Sequence, residues 1–400
     1  MNHAAKALGA RRSAIREIFE YGSRKKKEWG EDAIFDLSLG NPSVPPPPEV
    51  QASLLSLLNT ADPTALHGYT TAAGDMEVRR AIADYSEKTL GVPADPSLLY
   101  LTVGAAAALS ASLGALLTPA DEAIVISPYF PEYRVFIEHT GAKVVEVPAK
   151  EPDFTPDMEA LGAAINERTA VLLLNSPNNP TGVVLSEKEL TALGTLLRQK
   201  EETYAHPIYL LSDEPYRELV YDGLSAPSPA AYYDDTLVCY SFSKSLSLPG
   251  ERIGYVAVHP RAADARDVYL AIMGAARALG YVCAPSLFQH MIPACLGKTA
   301  DIRVYDRNRR RLYEALTSFG FRVVRPGGAF YLFLRSPEPD AGAFAEKAKA
   351  RGLLFVPGDS FGCPGYVRVA YCVSEETITR CLPVFAALAE EYGLKKEVKM

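Results

Sequence analysis

Ser241-Phe242-Ser243-Lys244, continued by Pro249-Gly250-Glu251-Arg252-Ile253-Gly254-Tyr255, is the stretch on which the reading of this chain turns. The lysine stands just past an apolar run, Leu237-Val238-Cys239-Tyr240. Two hydroxyls flank it, and an arginine follows eight residues later. Lysine is the side chain that condenses with aldehydes, because its amine gives up its proton in a protected site. Hydroxyls and a guanidinium fork are the donors a phosphate takes. The combination suits a ligand that carries both an aldehyde and a phosphate. A lone Ser-x-Ser-Lys reads as a surface lysine after an edge strand. The Pro-Gly-x-Arg-x-Gly-Tyr continuation reverses that reading.

Working outward, the 400 residues are too many for one ordinary core and fit one large and one small domain. Hydrophobic residues make up 48% and charged residues 22%, an ordinary soluble composition. The net charge of −7 disfavours a nucleic-acid partner. The arginines from Arg303 to Arg311 read as a solvated helix face. Cys239, Cys283, Cys295, Cys363, Cys372 and Cys381 show neither CxxC pairing nor metal-like spacing, and they read as reduced thiols packed mostly in the core. Met1 to Glu28 has no apolar signal region, and Leu101 to Leu117 is too short for a membrane span. The expectation is a cytoplasmic protein with no membrane partner.

Residues 11–29 read as a basic amphipathic helix and Ile34 to Leu39 as a strand. Pro45-Pro46-Pro47-Pro48 is expected to run extended, outside helix and sheet alike. Short apolar runs follow at Leu98 to Val103, Ala123 to Ile126, Ala170 to Leu174, Ile208 to Leu211, Leu237 to Tyr240 and Ile253 to Val258. Continuous apolar strands of this kind are buried on both faces of a parallel sheet. Helical patterns at Ala105 to Leu117, Pro131 to His139 and Glu187 to Lys200 alternate with them. The pattern predicts an α/β fold, a large domain whose mostly parallel sheet is flanked by helices. After residue 286 come a long helix near Asp301 to Phe319, a hairpin at Phe321 to Leu334 and a helix from Glu375, an α+β unit. The expected division is 1–48 as N-terminal arm and part of the small domain, 49–286 as the large domain, and 287–400 as the small domain.

Open α/β sheets bind ligands outside the carboxyl ends of their strands. Gly104-Ala105-Ala106 follows the first run and opens a helix whose free N–H groups suit a phosphate. Ser127-Pro128-Tyr129-Phe130 brings aromatic faces, and Asn175 to Gly182 brings a polar turn with an amide at Asn179. Ser212-Asp213-Glu214-Pro215-Tyr216 brings a carboxylate and a phenol, and Lys244 ends the series. Any one such turn is commonplace. Five at the ends of one sheet form a site.

In this order and at these separations the segments resemble those of the class I/II aminotransferases, the fold-type I enzymes that use pyridoxal 5'-phosphate. The resemblance covers nearly the whole chain and implies a homodimer, with a smaller α+β domain built from both chain ends. It implies that Lys244 forms the Schiff base with the cofactor and serves as general acid/base. Asp213 pairs with the pyridine nitrogen, while Asn179 and Tyr216 donate to the ring oxygen. Phe130 stacks on the ring, with Tyr129 and Tyr133 as the other rings of that segment. Gly104, Ala105, Ala106, Ser241, Ser243 and Arg252 hold the phosphate. Tyr69-Thr70, with Gly74 and Arg79 after it, looks like the segment whose tyrosine reaches the neighbouring subunit's phosphate. Leu39-Gly40-Asn41-Pro42 looks like the segment lying against the substrate carboxylate, and Arg368 like the arginine that holds it.

The implied activity is transfer of an amino group from an L-amino acid to a 2-oxo acid, of the aspartate or aromatic type. A C–S lyase or other β/γ-elimination enzyme needs the same residues. A non-enzymatic module that senses the cofactor needs an added DNA-binding region, for which residues 1–30 are short. Two departures stand out. Asn175-Ser176-Pro177 carries one residue more than the common turn. Ala105-Ala106-Ala107 lacks the lysine with which some bacterial aspartate aminotransferases bind a side-chain carboxylate. Arg277 lies one residue off the place where some of them set an arginine across the dimer, and it also reads as a solvent-facing helix arginine.

Overall fold

The computed structural model describes residues 1–10 and 14–394. The basic helix expected over 11–29 runs Ala14–Trp29, behind a short helix His3–Ala10; residues 11–13 lie outside the described residues. The chain divides into two compact units. One comprises Met1–Ser43, Asn179–Gly182 and Arg303–Met400; the other comprises Val44–Asn178 and Val183–Ile302.

In chain order the strands are β1 (Phe35–Asp36), β2 (Leu99–Thr102), β3 (Glu122–Ser127), β4 (Lys143–Pro148), β5 (Thr169–Asn175), β6 (Tyr209–Asp213) and β7 (Thr236–Ser241). Then come β8 (Gly254–Val258), β9 (Val323–Val324), β10 (Tyr331–Arg335), β11 (Leu353–Leu354), β12 (Val356–Pro357) and β13 (Tyr366–Ala370). Among the described residues, seven of these form the sheet of the larger unit in the order β2-β8-β7-β6-β5-β3-β4.

Neighbours from β4 to β7 pair in parallel, and β8 runs antiparallel to both β7 and β2. The reason is length. The connection from Ser241 to Gly254 holds only the one-turn helix Phe242–Ser245, too little chain for the crossover a parallel neighbour needs. Gly254 fits this tight pairing because a Cβ there would lie 2.3 Å from the Tyr240 carbonyl.

Both faces of the sheet are buried. Val171 and Leu173 pack on one side with the helices Ala105–Leu116 and Ala265–Leu279; Leu172 and Leu174 pack on the other with Leu190, Leu193 and Leu197. Successive strand residues thus feed opposite cores, each buried leucine contributing roughly 1.5–3 kcal/mol. β4 escaped the sequence reading because it is an edge strand, with Lys143, Glu146 and Pro148 exposed.

The smaller unit holds an antiparallel sheet β12-β13-β10-β9 and the parallel pair β1-β11. Its helices Ile302–Ser318 and Glu375–Glu391 and its β9-β10 hairpin lie where the pattern placed them. Four expectations are corrected. The strand at Ile34 to Leu39 shrinks to Phe35–Asp36, because Ser38 turns back to donate its N–H to the Asp36 carboxylate at 3.0 Å. Pro48 is not extended; it opens the helix Pro48–Thr60 at the first position, where its missing N–H costs no bond. Arg309 is buried rather than solvated, with Nε and Nη2 on Asp306 Oδ1 at 2.9 and 2.6 Å and Nη1 on the Pro326 carbonyl at 3.0 Å. The helix Ser286–Cys295 packs Met291, Ile292 and Cys295 into a core of the larger unit, so 287–302 falls on that side of the boundary. None of the six cysteines is in a disulfide, and four of them are buried. No helix among the described residues is long and apolar enough to cross a membrane.

Glu122, at the start of β3, accepts from Asn166 Nδ2 at 2.9 Å, Lys143 Nζ at 3.1 Å and Arg168 Nη2 at 2.7 Å. These donors, Asn166 foremost, hold its pKa below the ordinary 4.5. A lowered carboxylate pKa stabilises the fold above the unfolded value, and the gain is lost as pH falls through the folded value. Glu122→Gln should therefore cost about 1–2 kcal/mol at pH 7. In denaturant titrations the gap from wild type should close as pH drops below about 4.5. A gap constant with pH would contradict this account.

Candidate active site

In the larger unit the groups stand at the carboxyl ends of the parallel strands. Ser241 closes β7, and its Oγ accepts the Ser243 N–H at 3.2 Å, capping the turn Phe242–Ser245 that carries half-buried Lys244. The Ser241 and Ser243 hydroxyls are 2.8 Å apart.

Arg252 sits at φ 53°, a left-handed conformation uncommon outside glycine. Its guanidinium lies against Gly104: a Cβ there would stand 2.7 Å from Nη2. Gly104, at φ 88°, begins the helix Ala105–Leu116 with no side-chain cap. A guanidinium beside an uncapped helix N-terminus attracts an anion through a full charge and a dipole together.

Asp213 ends β6 and is 5% exposed. Tyr133 donates its hydroxyl to Oδ2, Asn175 Nδ2 donates to the Asp213 carbonyl at 2.8 Å, and Oδ1 is buried with no partner. Burial pushes its pKa up to about 7, the Tyr133 bond opposes the rise and the neighbouring Glu214 adds to it. In the cofactor-free chain this costs stability as pH climbs from 3.8 toward 7, because the folded state keeps a proton the unfolded state releases. A cationic N–H at Oδ1 would reverse that penalty. Tyr216 is buried in the turn after Asp213. Phe130 is half-buried and meets the Tyr133 ring edge-on at 5.6 Å.

The orphaned Oδ1, the glycine cradle under Arg252, the paired serine hydroxyls and the nearby amine fit a phosphorylated aldehyde with a basic ring nitrogen. Tyr69 stands apart, fully exposed on this chain, and Arg277 is exposed on its helix. Arg79 is a core group that donates to the Pro96 carbonyl at 3.0 Å.

The smaller unit assembles a second group. Arg368, on β13, is 1% exposed. Its Nη1 donates to Asn179 Oδ1 at 2.9 Å and its Nη2 to the Ser38 carbonyl at 2.6 Å, while Nε is buried without a partner. The Tyr331 and Phe361 rings flank the guanidinium, with centroids at 4.4 and 4.9 Å. Gly40 belongs here for want of space: a Cβ would stand 1.9 Å from the Tyr331 hydroxyl.

The structure thus joins Gly104 to Arg252, and Gly40, Asn179 and Arg368 to one another. Sequence reasoning missed Tyr133 as the donor to Asp213, Asn175 as the anchor of that turn, and the aromatic clamp on Arg368. Tyr133 was visible only as one ring among three, since no local pattern announces a hydroxyl aimed at a distant strand.

A family model described as aminotransferase class I and II matches residues 32–385. The crystal structure of an amino transferase from Eubacterium rectale is 50% identical, with a TM-score of 0.96 over 98% of this chain and 99% of that one. The aspartate/prephenate aminotransferase of Thermus thermophilus is 33% identical over 329 residues, 80% of this chain and 82% of its own length. Aromatic-amino-acid aminotransferase 2 of Thermococcus litoralis is 28% identical over 399 residues, 96% of this chain and 97% of its own.

Removing the Tyr133 hydroxyl should leave Asp213 harder to ionise. Tyr133→Phe is expected to weaken pyridoxal phosphate retention about tenfold at pH 7, one pKa unit's worth, with the deficit narrowing at higher pH. Equilibrium dialysis against the free cofactor measures it, and an unchanged affinity at every pH would remove Tyr133 from the site.

Proposed function

The chain belongs to the class I and II aminotransferases, and from that premise we propose a pyridoxal 5'-phosphate enzyme that moves an amino group from an L-amino acid to a 2-oxo acid, with substrates of the aspartate or aromatic kind. When bound, the cofactor supplies a ring that draws electrons from the substrate's Cα. The remaining work belongs to the protein. Lys244 would hold the aldehyde and, once displaced by the substrate amine, would take the proton from Cα with Nζ and deliver it to the carbon that had been the cofactor's aldehyde. Asp213 keeps a proton on the ring nitrogen. Gly104, Ala105, Ala106, Ser241, Ser243 and Arg252 bind the phosphate; Tyr216 and Asn179 donate to the ring oxygen; Phe130 supplies a face for the ring. Arg368, steadied by Asn179, takes the α-carboxylate, with Gly40 alongside.

The observation that carries this reading is Asp213 Oδ1, buried and unpartnered at a strand end. Such a group costs several kcal/mol unless a donor meets it. Full exposure of Tyr69 supports a homodimer in which that phenol serves the other copy's phosphate group.

Borohydride treatment of the protein loaded with pyridoxal phosphate should fix a pyridoxyl mass on the Lys244 peptide and on no peptide of Lys244→Ala. Label on another lysine, or turnover by the variant near the wild-type rate, would overturn the assignment. For the substrate, 2-oxoglutarate consumption is followed with aspartate, tyrosine and alanine in turn. Pyruvate and ammonia released without any oxo acid would point to elimination instead. Arg277→Leu should leave kcat/KM for the three nearly unchanged, as expected of an exposed helix arginine. A collapse confined to aspartate would give the side chain a carboxylate-binding role.

A further inference from the structure

Behind the lysine turn lies a buried polar cluster that the reaction above leaves unused. Glu214 follows Asp213 and is 1% exposed; its Oε1 accepts from Ser212 Oγ at 2.8 Å and Ser228 Oγ at 2.7 Å, and its Oε2 from Arg217 Nε at 2.7 Å. The Arg217 guanidinium lies 4.6 Å from the centre of the Tyr240 ring. The Tyr240 hydroxyl is 2.9 Å from Ser245 Oγ.

Ser245 is the neighbour of Lys244, and its carbonyl accepts the Ala300 N–H at 2.8 Å, so the turn is held through both hydroxyl and backbone. Tyr240 and Ser245 are 4% and 2% exposed. The other titratable groups facing the cluster are Glu218, Tyr85, Tyr255, Cys295 and, at its rim, Lys298.

We propose that Tyr240 and Ser245, backed by Arg217, are positioning residues for Lys244: a buried hydrogen bond fixes the turn that bears the amine, and the guanidinium on the Tyr240 ring ties it to the turn that bears Asp213. Glu214 and Arg217 make the tie, since Glu214 continues the Asp213 turn and Arg217 covers the ring of Tyr240. A buried hydrogen-bonded network of this kind favours one arrangement over others. The inference rests on Lys244 being the cofactor lysine.

The test compares Tyr240→Phe, Ser245→Ala and their combination with wild type and with Tyr233→Phe. Tyr233 is an equally buried phenol of the same unit, bonded to Glu201 and the Ile208 carbonyl. Two readouts are taken besides melting temperature. One is the pH midpoint of the absorbance change in the cofactor-loaded protein; the other is the acylation rate of Lys244 in cofactor-free protein, followed by peptide mass. Tyr240→Phe and Ser245→Ala should each move the midpoint by about half a unit or more and change the labelling rate about threefold. The double variant should move them no further, as expected of two partners in one hydrogen bond. Tyr233→Phe should lower the melting temperature and move neither readout.

Changes in melting temperature alone, with midpoint and labelling at wild-type values in both single variants, would overturn the proposal. Should Tyr240→Phe fail to fold, Ser245→Ala decides by the same criteria. If borohydride fixes no cofactor on wild-type Lys244, the reading of that lysine falls first, and the positioning role falls with it.

Discussion

The constraint on which the larger unit depends is a carboxylate taken out of water. Asp213 ends a strand buried on both faces, so no solvent reaches Oδ1 and burial lifts its pKa to about 7. Such a position is costly unless the group opposite is a cation or a donor. The surroundings are arranged so that only one side of the carboxylate is left to serve. Tyr133 occupies Oδ2, Asn175 pins the carbonyl, and β5 and β7 pair on either side of β6. Oδ1 is then an acceptor whose direction is set before any ligand arrives, which is the meaning of preorganisation in a site of this kind.

The smaller unit solves the opposite problem, a cation out of water. Arg368 is nearly inaccessible, yet no acid side chain among the described residues pairs with it; an amide oxygen, a backbone carbonyl and two aromatic faces take that place. Neutral acceptors and ring faces hold a guanidinium in place without neutralising it. Its charge is therefore left uncompensated by any acid, as the proposed binding of a substrate carboxylate requires. Gly40 belongs to the same arrangement, because the Tyr331 hydroxyl fills the space a side chain would take.

Much of this was legible in the sequence because the chemistry is concentrated in turns. Lys244, Asp213 and Gly104 each come within a few residues of the end of an apolar run, Arg252 directly precedes one, and short apolar runs with polar endings read well from local pattern. What stayed hidden depends on chain that is distant in sequence. β4 has the charge pattern of an edge, and nothing local distinguishes it from a loop. Arg309 sits in an arginine-rich helix, and only the approach of the Pro326 carbonyl shows which arginine turns inward. The hydroxyl of Tyr133 meets Asp213 across 80 residues of chain, and a sequence window has no means of seeing it. Pro48 was misread for a different reason: a run of prolines reads as extended, while its last member is free to start a helix.

The short return from β7 to β8 has a consequence of its own. Surface connections usually accept inserted residues at small cost, since closure entropy grows slowly with length. This one spans Phe242 to Ile253 and carries Lys244 near one end and Arg252 near the other, with Gly254 wedged against the Tyr240 carbonyl where β8 begins. Its length acts as a ruler between amine and guanidinium. Over evolutionary time such a segment should change its residues yet keep its length, and drift in loop size should collect elsewhere on the molecule.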